Sequence, residues 1–314
     1  MPPRIALSLG DPAGVGPELC CRVCADPAVL AACEPVVVGN RALIERVAEQ
    51  LKLPVPNQID PPQSDTLVAS TVTPGSIDPQ CGAAALSAFA HAVAGCRSGR
   101  YAAVTTAPIN KQAIAAAGCP HPGHTELLAE HCGGGEPVML LYDPSIAVAL
   151  VTVHQSLASV PASLSSAAIE RVGRLLAAAL GRIRNDSQPR IAVLGLNPHA
   201  GEGGLFGDEE ARLVSPAVAA LRAAGIEADG PLPPDTAFTA RARSYYAGHV
   251  CLYHDQGLIP FKALAFADGV NVTLGLPVVR TSPDHGTAFD IAWKGIADPA
   301  SMRAAVLLAA QLAS

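Results

Sequence analysis

Tyr253-His254-Asp255-Gln256-Gly257, followed by Lys262, Asn271, Arg280 and Asp284-His285-Gly286-Thr287, is the densest run of ionisable and amide side chains in this chain. The whole sequence of 314 residues is only 15% charged, and the run is threaded through apolar stretches such as GVNVTLGL at 269–276. Burying an imidazole, a carboxylate, an ammonium and a guanidinium without partners costs on the order of several kcal/mol. The economical reading is a site for an anionic ligand and a metal ion.

Three histidines extend that reading. His154, His199 and His254 lie 45 and 55 residues apart, outside any local zinc-finger spacing. Each is expected at the end of a strand, beside polar or turn-forming residues. Three imidazoles that leave a coordination position open are a known arrangement for a catalytic divalent metal. The same positions are also open to three ordinary histidines bonded locally at strand ends.

Other segments supply anion-binding chemistry. Gly10-Asp11-Pro12-Ala13-Gly14-Val15-Gly16-Pro17-Glu18 is neither the dinucleotide fingerprint nor a P-loop. Its glycines suit either a tight turn or a backbone approach to phosphate at a helix amino terminus. In Gly123-His124-Thr125-Glu126, Thr125 is suited to be a helix N-cap, and an anion there would also meet His124. Arg280 offers a bidentate fork for phosphate or carboxylate, Lys262 a point charge, and Asn271 an amide. Gly201–Gly207 (GEGGLFG) reads as a lid, a cofactor-contacting loop or a wide turn. Asp235, in a stiff Pro231–Thr236 frame, reads as a candidate base, an amine partner or a loop cap.

These residues need elements to carry them. Half the residues are hydrophobic but only 4% are aromatic, so the core must be built from Ala, Val, Leu and Ile. Strands are expected at 5–9, 36–38, 67–72, 102–105, 138–142, 146–154, 191–196, 250–253 and 270–274. Helices are expected at 17–25, 41–51, 80–97, 111–117, 165–183, 208–224 and 298–312. This alternation predicts an α/β fold with mostly parallel strands and catalytic groups past their carboxyl ends. The length suits two domains, set at 1–130 with 280–314, and at 131–279.

The net charge of −6 and the lack of a Lys/Arg run leave no electrostatic footprint for nucleic acid. No apolar run is long enough for a membrane span, and the amino terminus lacks signal-peptide order, so the expected location is the cytoplasm. Of nine cysteines, Cys21-x-x-Cys24 has zinc or dithiol spacing. No second pair or nearby histidine completes a site, and the cysteines read as small apolar fillers.

Taken together, GDPAGVGPE (10–18), TAPINK (106–111), GHTE (123–126), LNPHAGEGGLFGDEE (196–210), GPLPPDTAF (230–238), YHDQG (253–257) and GVNVTLGLPVVRTSPDHGTAFDIA (269–292) resemble the 4-hydroxythreonine-4-phosphate dehydrogenase family of vitamin B6 biosynthesis. The segments span almost the whole chain in order. The resemblance implies two α/β/α domains similar to isocitrate and isopropylmalate dehydrogenases, with the active site in the interdomain cleft at a homodimer interface. It implies that His154, His199 and His254 are metal ligands contributed from both subunits. It makes His124, Thr125, Lys262, Asn271 and Arg280 substrate-binding residues, and puts Asp235 and Asp255 near the substrate as candidate catalytic acids or bases. After His154 the chain reads Gln155-Ser156-Leu157, where the family often has an apolar residue and proline.

The implied chemistry is oxidation of a secondary alcohol β to a carboxylate. A divalent metal (Zn, Mg, Co or Mn, one per site) polarises the alcohol oxygen. Hydride passes to NAD or NADP, and the 3-oxo acid decarboxylates to 3-amino-2-oxopropyl phosphate. Related family members acting on 4-phosphothreonate or cyclic diol carboxylates are the nearest alternative, although GHTE favours a phosphorylated substrate. A metal-dependent lyase or aldolase and a non-catalytic binder are alternatives of other classes.

Overall fold

Arg4–Ser8 (β1) shows how the sequence builds the fold: Ile5 and Leu7 enter one apolar cluster, while Ala6 between them enters another. A strand whose two faces are both buried requires helices on both sides. The computed structural model describes residues 2–265 and 268–313, and the chain forms two compact units. The first joins Met1–Pro137 to Leu276–Ser314; the second is Val138–Gly275.

In the first unit β1 is followed by α1 (Gly16–Cys24), α2 (Pro27–Ala32), β2 (Glu34–Val38), α3 (Arg41–Leu51), β3 (Ile59–Asp60), α4 (Pro79–Arg97), β4 (Ala103–Thr106), α5 (Lys111–Ala116) and α6 (His124–His131). The second unit runs β5 (Val138–Asp143), β6 (Ile146–Leu150), α7 (Val160–Ser163), α8 (Ser166–Arg184), β7 (Ile191–Leu194), α9 (Ser215–Ala223), β8 (Ala228–Leu232), α10 (Ala240–Tyr245), β9 (Gly248–Cys251), α11 (His254–Leu264) and β10 (Val270–Leu274). The chain then returns to the first unit with β11 (Arg280–Pro283) and α12 (Ala300–Leu312).

The first unit's strands lie in the order β3-β2-β1-β4-β11, all parallel. The second unit's order is β10-β5-β6-β9-β7-β8; β5 is antiparallel to both neighbours, and β6, β9, β7 and β8 are parallel. Small residues allow close helix-on-sheet packing. A Cβ on Gly248 would lie 2.7 Å from Leu180 of α8. Helix starts follow side-chain capping: Asp78, Asn110 and Ser165 accept backbone N–H groups at the heads of α4, α5 and α8. All nine cysteines are free, and burial pushes the Cys21 thiol up to about 11, as expected of an apolar filler.

Several expected elements differ. Residues 67–72 are not a strand; Ala69–Thr71 is a single 3-10 turn. There Asp65 accepts the N–H of Leu67 and Thr71 donates to Val68 O, side-chain bonds that compete with strand pairing. The strand expected through His154 ends at Leu150, because Thr152 turns its N–H and hydroxyl to Leu252 O. No helix among the described residues is long and apolar enough to cross a membrane.

Candidate active site

Four neighbouring parallel strands of the second unit, β6, β9, β7 and β8, each lead into a segment carrying one of the singled-out groups. His154 follows β6, His254 follows β9, His199 follows β7 and Asp235 follows β8. In open α/β sheets, this carboxyl end is where ligands bind. The histidines are not strand-terminal: His154 sits in a loop, His199 in the 3-10 segment Pro198–Gly204, and His254 is the first residue of α11.

Buried hydrogen bonds knit these loops together. Leu252 O accepts from the Thr152 hydroxyl at 2.8 Å, joining the loops after β6 and β9. Gln256 accepts the N–H of Leu252 at 2.7 Å and donates to Gly195 O at 2.8 Å, joining the loops after β9 and β7. Gly195 in turn donates to Leu232 O of β8 at 2.9 Å.

The rings of His154 and His254 lie 5.8 Å apart, centre to centre. His254 Nδ1 is 2.7 Å from Asp255 Oδ1, a contact that fixes the ring and leaves Nε2 as the nitrogen able to coordinate. All three residues line a pocket of about 500 Å³, together with Gln155, Ser156 and Tyr253. Two imidazoles, one oriented by a carboxylate, fit a divalent metal. Among the described residues, no group of three or more His, Cys, Asp or Glu within this one chain is close enough to hold a metal ion.

His199 belongs to an unusual turn. His199, Ala200, Gly201, Glu202 and Gly203 all have left-handed backbone, with φ of 52°, 54°, 81°, 44° and 67°. Each non-glycine residue there costs roughly 1–2 kcal/mol, so the turn must be held by its surroundings. The His199 ring stands 6.3 Å from that of Phe206. Asp235 is exposed in the turn after β8; Lys262 lies on α11 and Asn271 on β10, both partly buried.

His124, Thr125 and Arg280 belong to the first unit. Thr125 is not the N-cap: α6 already begins at His124, with Gly123 as a cap lacking any side-chain bond. Its hydroxyl is therefore not committed to capping. Arg280 opens β11 beside β4, is 4% exposed, and donates from Nε and Nη2 to the Thr106 hydroxyl at 3.1 and 2.8 Å. Burial brings its pKa down to about 10, which leaves it cationic at neutral pH. The His124 Nε2 is buried without a partner among the described residues. Burial, reinforced by the Arg280 charge, holds that imidazole well below its usual pKa and therefore neutral. A cation beside an orphaned ring nitrogen at a helix start is chemistry for an anion.

The family described as "Pyridoxal phosphate biosynthetic protein PdxA" matches residues 31–309. The chain belongs to this family. It is 45% identical to 4-hydroxythreonine-4-phosphate dehydrogenase of Geobacter metallireducens, over 99% of this chain and 96% of that one. The crystal structure of 4-hydroxythreonine-4-phosphate dehydrogenase from Klebsiella pneumoniae superposes with a TM-score of 0.87 at 43% identity, covering 100% and 98% of the two chains. D-threonate 4-phosphate dehydrogenase of Pectobacterium atrosepticum is 42% identical over 98% of this chain and 99% of that one. A β-decarboxylating dehydrogenase from Thermococcus kodakarensis shares the fold at 15% identity, with a TM-score of 0.51 over 97% and 82% of the chains. The relatives are dehydrogenases by name, so the catalytic class is oxidoreductase.

Four polar residues of the two units were not singled out from the sequence, two in each unit. Asp11, Thr106, Gln256 and Glu210 lie inside quoted motifs but have roles that only the tertiary structure reveals. The available signal was polarity in apolar surroundings, as with Thr106 at the buried end of β4.

Proposed function

We propose that this chain oxidises 4-(phosphooxy)-L-threonine with NAD or NADP, and that the resulting 3-oxo acid loses CO2 to give 3-amino-2-oxopropyl phosphate in pyridoxal phosphate biosynthesis. The observation that carries the reading is the His154–His254 pair with Asp255 behind one ring, in a chain whose full-length relatives are named dehydrogenases. The reading assigns His154, His199 and His254 to one divalent ion, Zn, Mg, Co or Mn. Such an ion polarises an alcohol oxygen and stabilises the charge that develops on it.

The chain's own groups do the rest. Arg280, His124 and Thr125 hold the phosphate, while Lys262 and Asn271 bind the remaining polar groups of the substrate. Asp255 orients His254, and Asp255 and Asp235 are the candidates to take the alcohol proton. The direct test incubates the purified chain with the phosphorylated hydroxy acid and each nicotinamide cofactor, and follows cofactor reduction. Chelation abolishes turnover and divalent metal restores it; full activity of a metal-free preparation sinks the reading.

A second reading, oxidation of D-threonate 4-phosphate, is favoured by the 42% identical relative of that name. Comparing kcat/KM for the two phosphorylated acids decides between them. Product formation without cofactor reduction would instead assign a metal-dependent lyase.

The same reading makes the active protein a homodimer with shared sites, acting in the cytoplasm on a small phosphorylated substrate, without a nucleic-acid or membrane partner. Mixing an inactive His154→Ala chain with an inactive His199→Ala chain tests the sharing. If the two ligands come from opposite chains, exchange restores at most about a quarter of wild-type activity, since about half the dimers are mixed and each has one intact site. No recovery despite proven exchange assigns both ligands to one chain.

A further inference from the structure

We propose that Glu210 is a positioning residue for His199, its buried carboxylate holding the left-handed turn in the shape that presents the imidazole. This rests on the reading of His199 as a metal ligand. Glu210 opens a π-helical turn, Glu210–Val214, that runs into α9, and it is only 5% exposed. Its Oε1 receives the N–H groups of Leu196 and Asn197, both at 2.7 Å, and its Oε2 receives the Asn197 side-chain amide at 3.0 Å. Glu209 accepts from the same amide at 2.7 Å.

The contacts bracket His199. Leu196 and Asn197 stand just before it, and Gly201 stands just after. A Cβ on Gly201 would lie 2.6 Å from Glu210 Oε2, and one on Gly195 would lie 3.1 Å from Oε1. The carboxylate therefore fills a slot that only glycines leave open, and backs the turn from inside. Three donors occupy its two oxygens, and they hold the acid below its ordinary pKa against the opposing effect of burial. A carboxylate fixed in this way orients a loop; it does not shuttle protons.

The experiment uses the purified full-length chain, stripped of metal and titrated calorimetrically with Co²⁺ or Zn²⁺. Hydrogen exchange is measured on the same metal-free samples. Glu210→Gln is expected to weaken metal binding by about tenfold or more, as for other groups that orient a ligand. Amide exchange should accelerate across 196–205 but not in β7 or β9, and the KM for the nicotinamide cofactor should not change. Asn197→Ala, which removes one donor and keeps both backbone bonds, should shift the same quantities less, and it decides the matter if Glu210→Gln does not fold.

His199→Ala, run alongside, separates the two readings. If His199→Ala loses metal affinity while Glu210→Gln and Asn197→Ala bind as wild type, the positioning role is overturned. Exchange that rises throughout the chain, with cofactor and metal binding falling together, overturns it too. If His199→Ala binds metal normally, the ligand reading fails, and the exchange at 196–205 still reports whether Glu210 holds the turn.

Discussion

The carboxyl of Asp11 receives the N–H of Ala13 on Oδ1 at 2.8 Å, while Oδ2 is buried with no partner among the described residues. Burial dominates and pushes its pKa up from 3.8 to about 6. Between those values the folded state binds more protons than the unfolded chain, so this group's contribution to stability falls as pH rises through the window. The loss is about 3 kcal/mol once pH exceeds the upper value. Asp11→Asn keeps the acceptor for Ala13 and removes the charge. Its melting temperature should exceed wild type at about pH 8, with the gain disappearing near pH 4; a gain independent of pH would contradict the raised pKa. Arg280 gives a second residue-scale outcome. Arg280→Ala should raise the KM for phosphorylated substrate by about 10- to 100-fold, the worth of a charge-assisted bond, and leave the cofactor KM nearly unchanged. The reverse pattern would assign Arg280 to the cofactor. Residue identity was enough to make the histidines and Arg280 candidates from the sequence alone. Glu210 and Gln256 were not readable, since a Glu or Gln reveals its partners only when distant backbone groups converge on it.

Elements built on regular patterns were legible: β1, α3 and α4 begin and end close to where alternation, caps and helix periodicity put them. Those missed carry residues that contradict their own geometry. Gly257 and Pro260 are poor helix formers, yet both lie in α11. β8 contains Gly230 and Pro231, which a strand tolerates at the edge position it occupies. β11 reads as a polar loop because Arg280, Thr281 and Ser282 are buried against partners instead of solvent. Glycine also fixes how closely elements approach. In α4, a Cβ on Gly82 would lie 2.2 Å from the Ala113 carbonyl oxygen of α5, a backbone atom with no room to yield. Helix propensity alone would make Gly82→Ala stabilising by roughly 1 kcal/mol. Overpacking costs typically about 1–3 kcal/mol, and at this distance it should win, lowering the melting temperature. A higher melting temperature would mean that α4 can shift away from α5 at little cost.

Over the whole molecule, the buried histidines and the buried Asp11 act in opposite directions. His249 is almost fully enclosed, donates from Nε2 to the Ala237 carbonyl oxygen at 2.9 Å, and is pushed down by burial from 6.5 to about 4. Its contribution is complete above the unfolded value and is lost as pH falls through that window, by about 3 kcal/mol. His124 is lowered for the same reason and adds to the loss. Asp11 offsets part of it between 3.8 and about 6. The net expectation is a melting temperature that falls as pH drops from about 7 to about 5, and a shallower fall in His249→Gln. An unchanged slope in that variant would show that other groups govern acid lability.

The chain leaves its first unit at Pro137 and returns at Leu276, and this bears on how the protein is made. The second unit is continuous, so a ribosome delivers all of it before the first unit is complete. Until residues 276–314 emerge, β4 lacks β11, and Met302, Val306 and Ala309 are missing from the core that holds Ile5 and Leu7. Thr281, which bonds both Thr105 and the carbonyl of Ala305, is missing as well. Domains generally fold as units as they are synthesised, but here the amino-terminal half must wait while exposing apolar surface. A nascent chain arrested once residue 275 has cleared the exit tunnel should resist protease within 138–275 and be cut within 1–137, and that segment is where a chaperone would have its longest opportunity to bind.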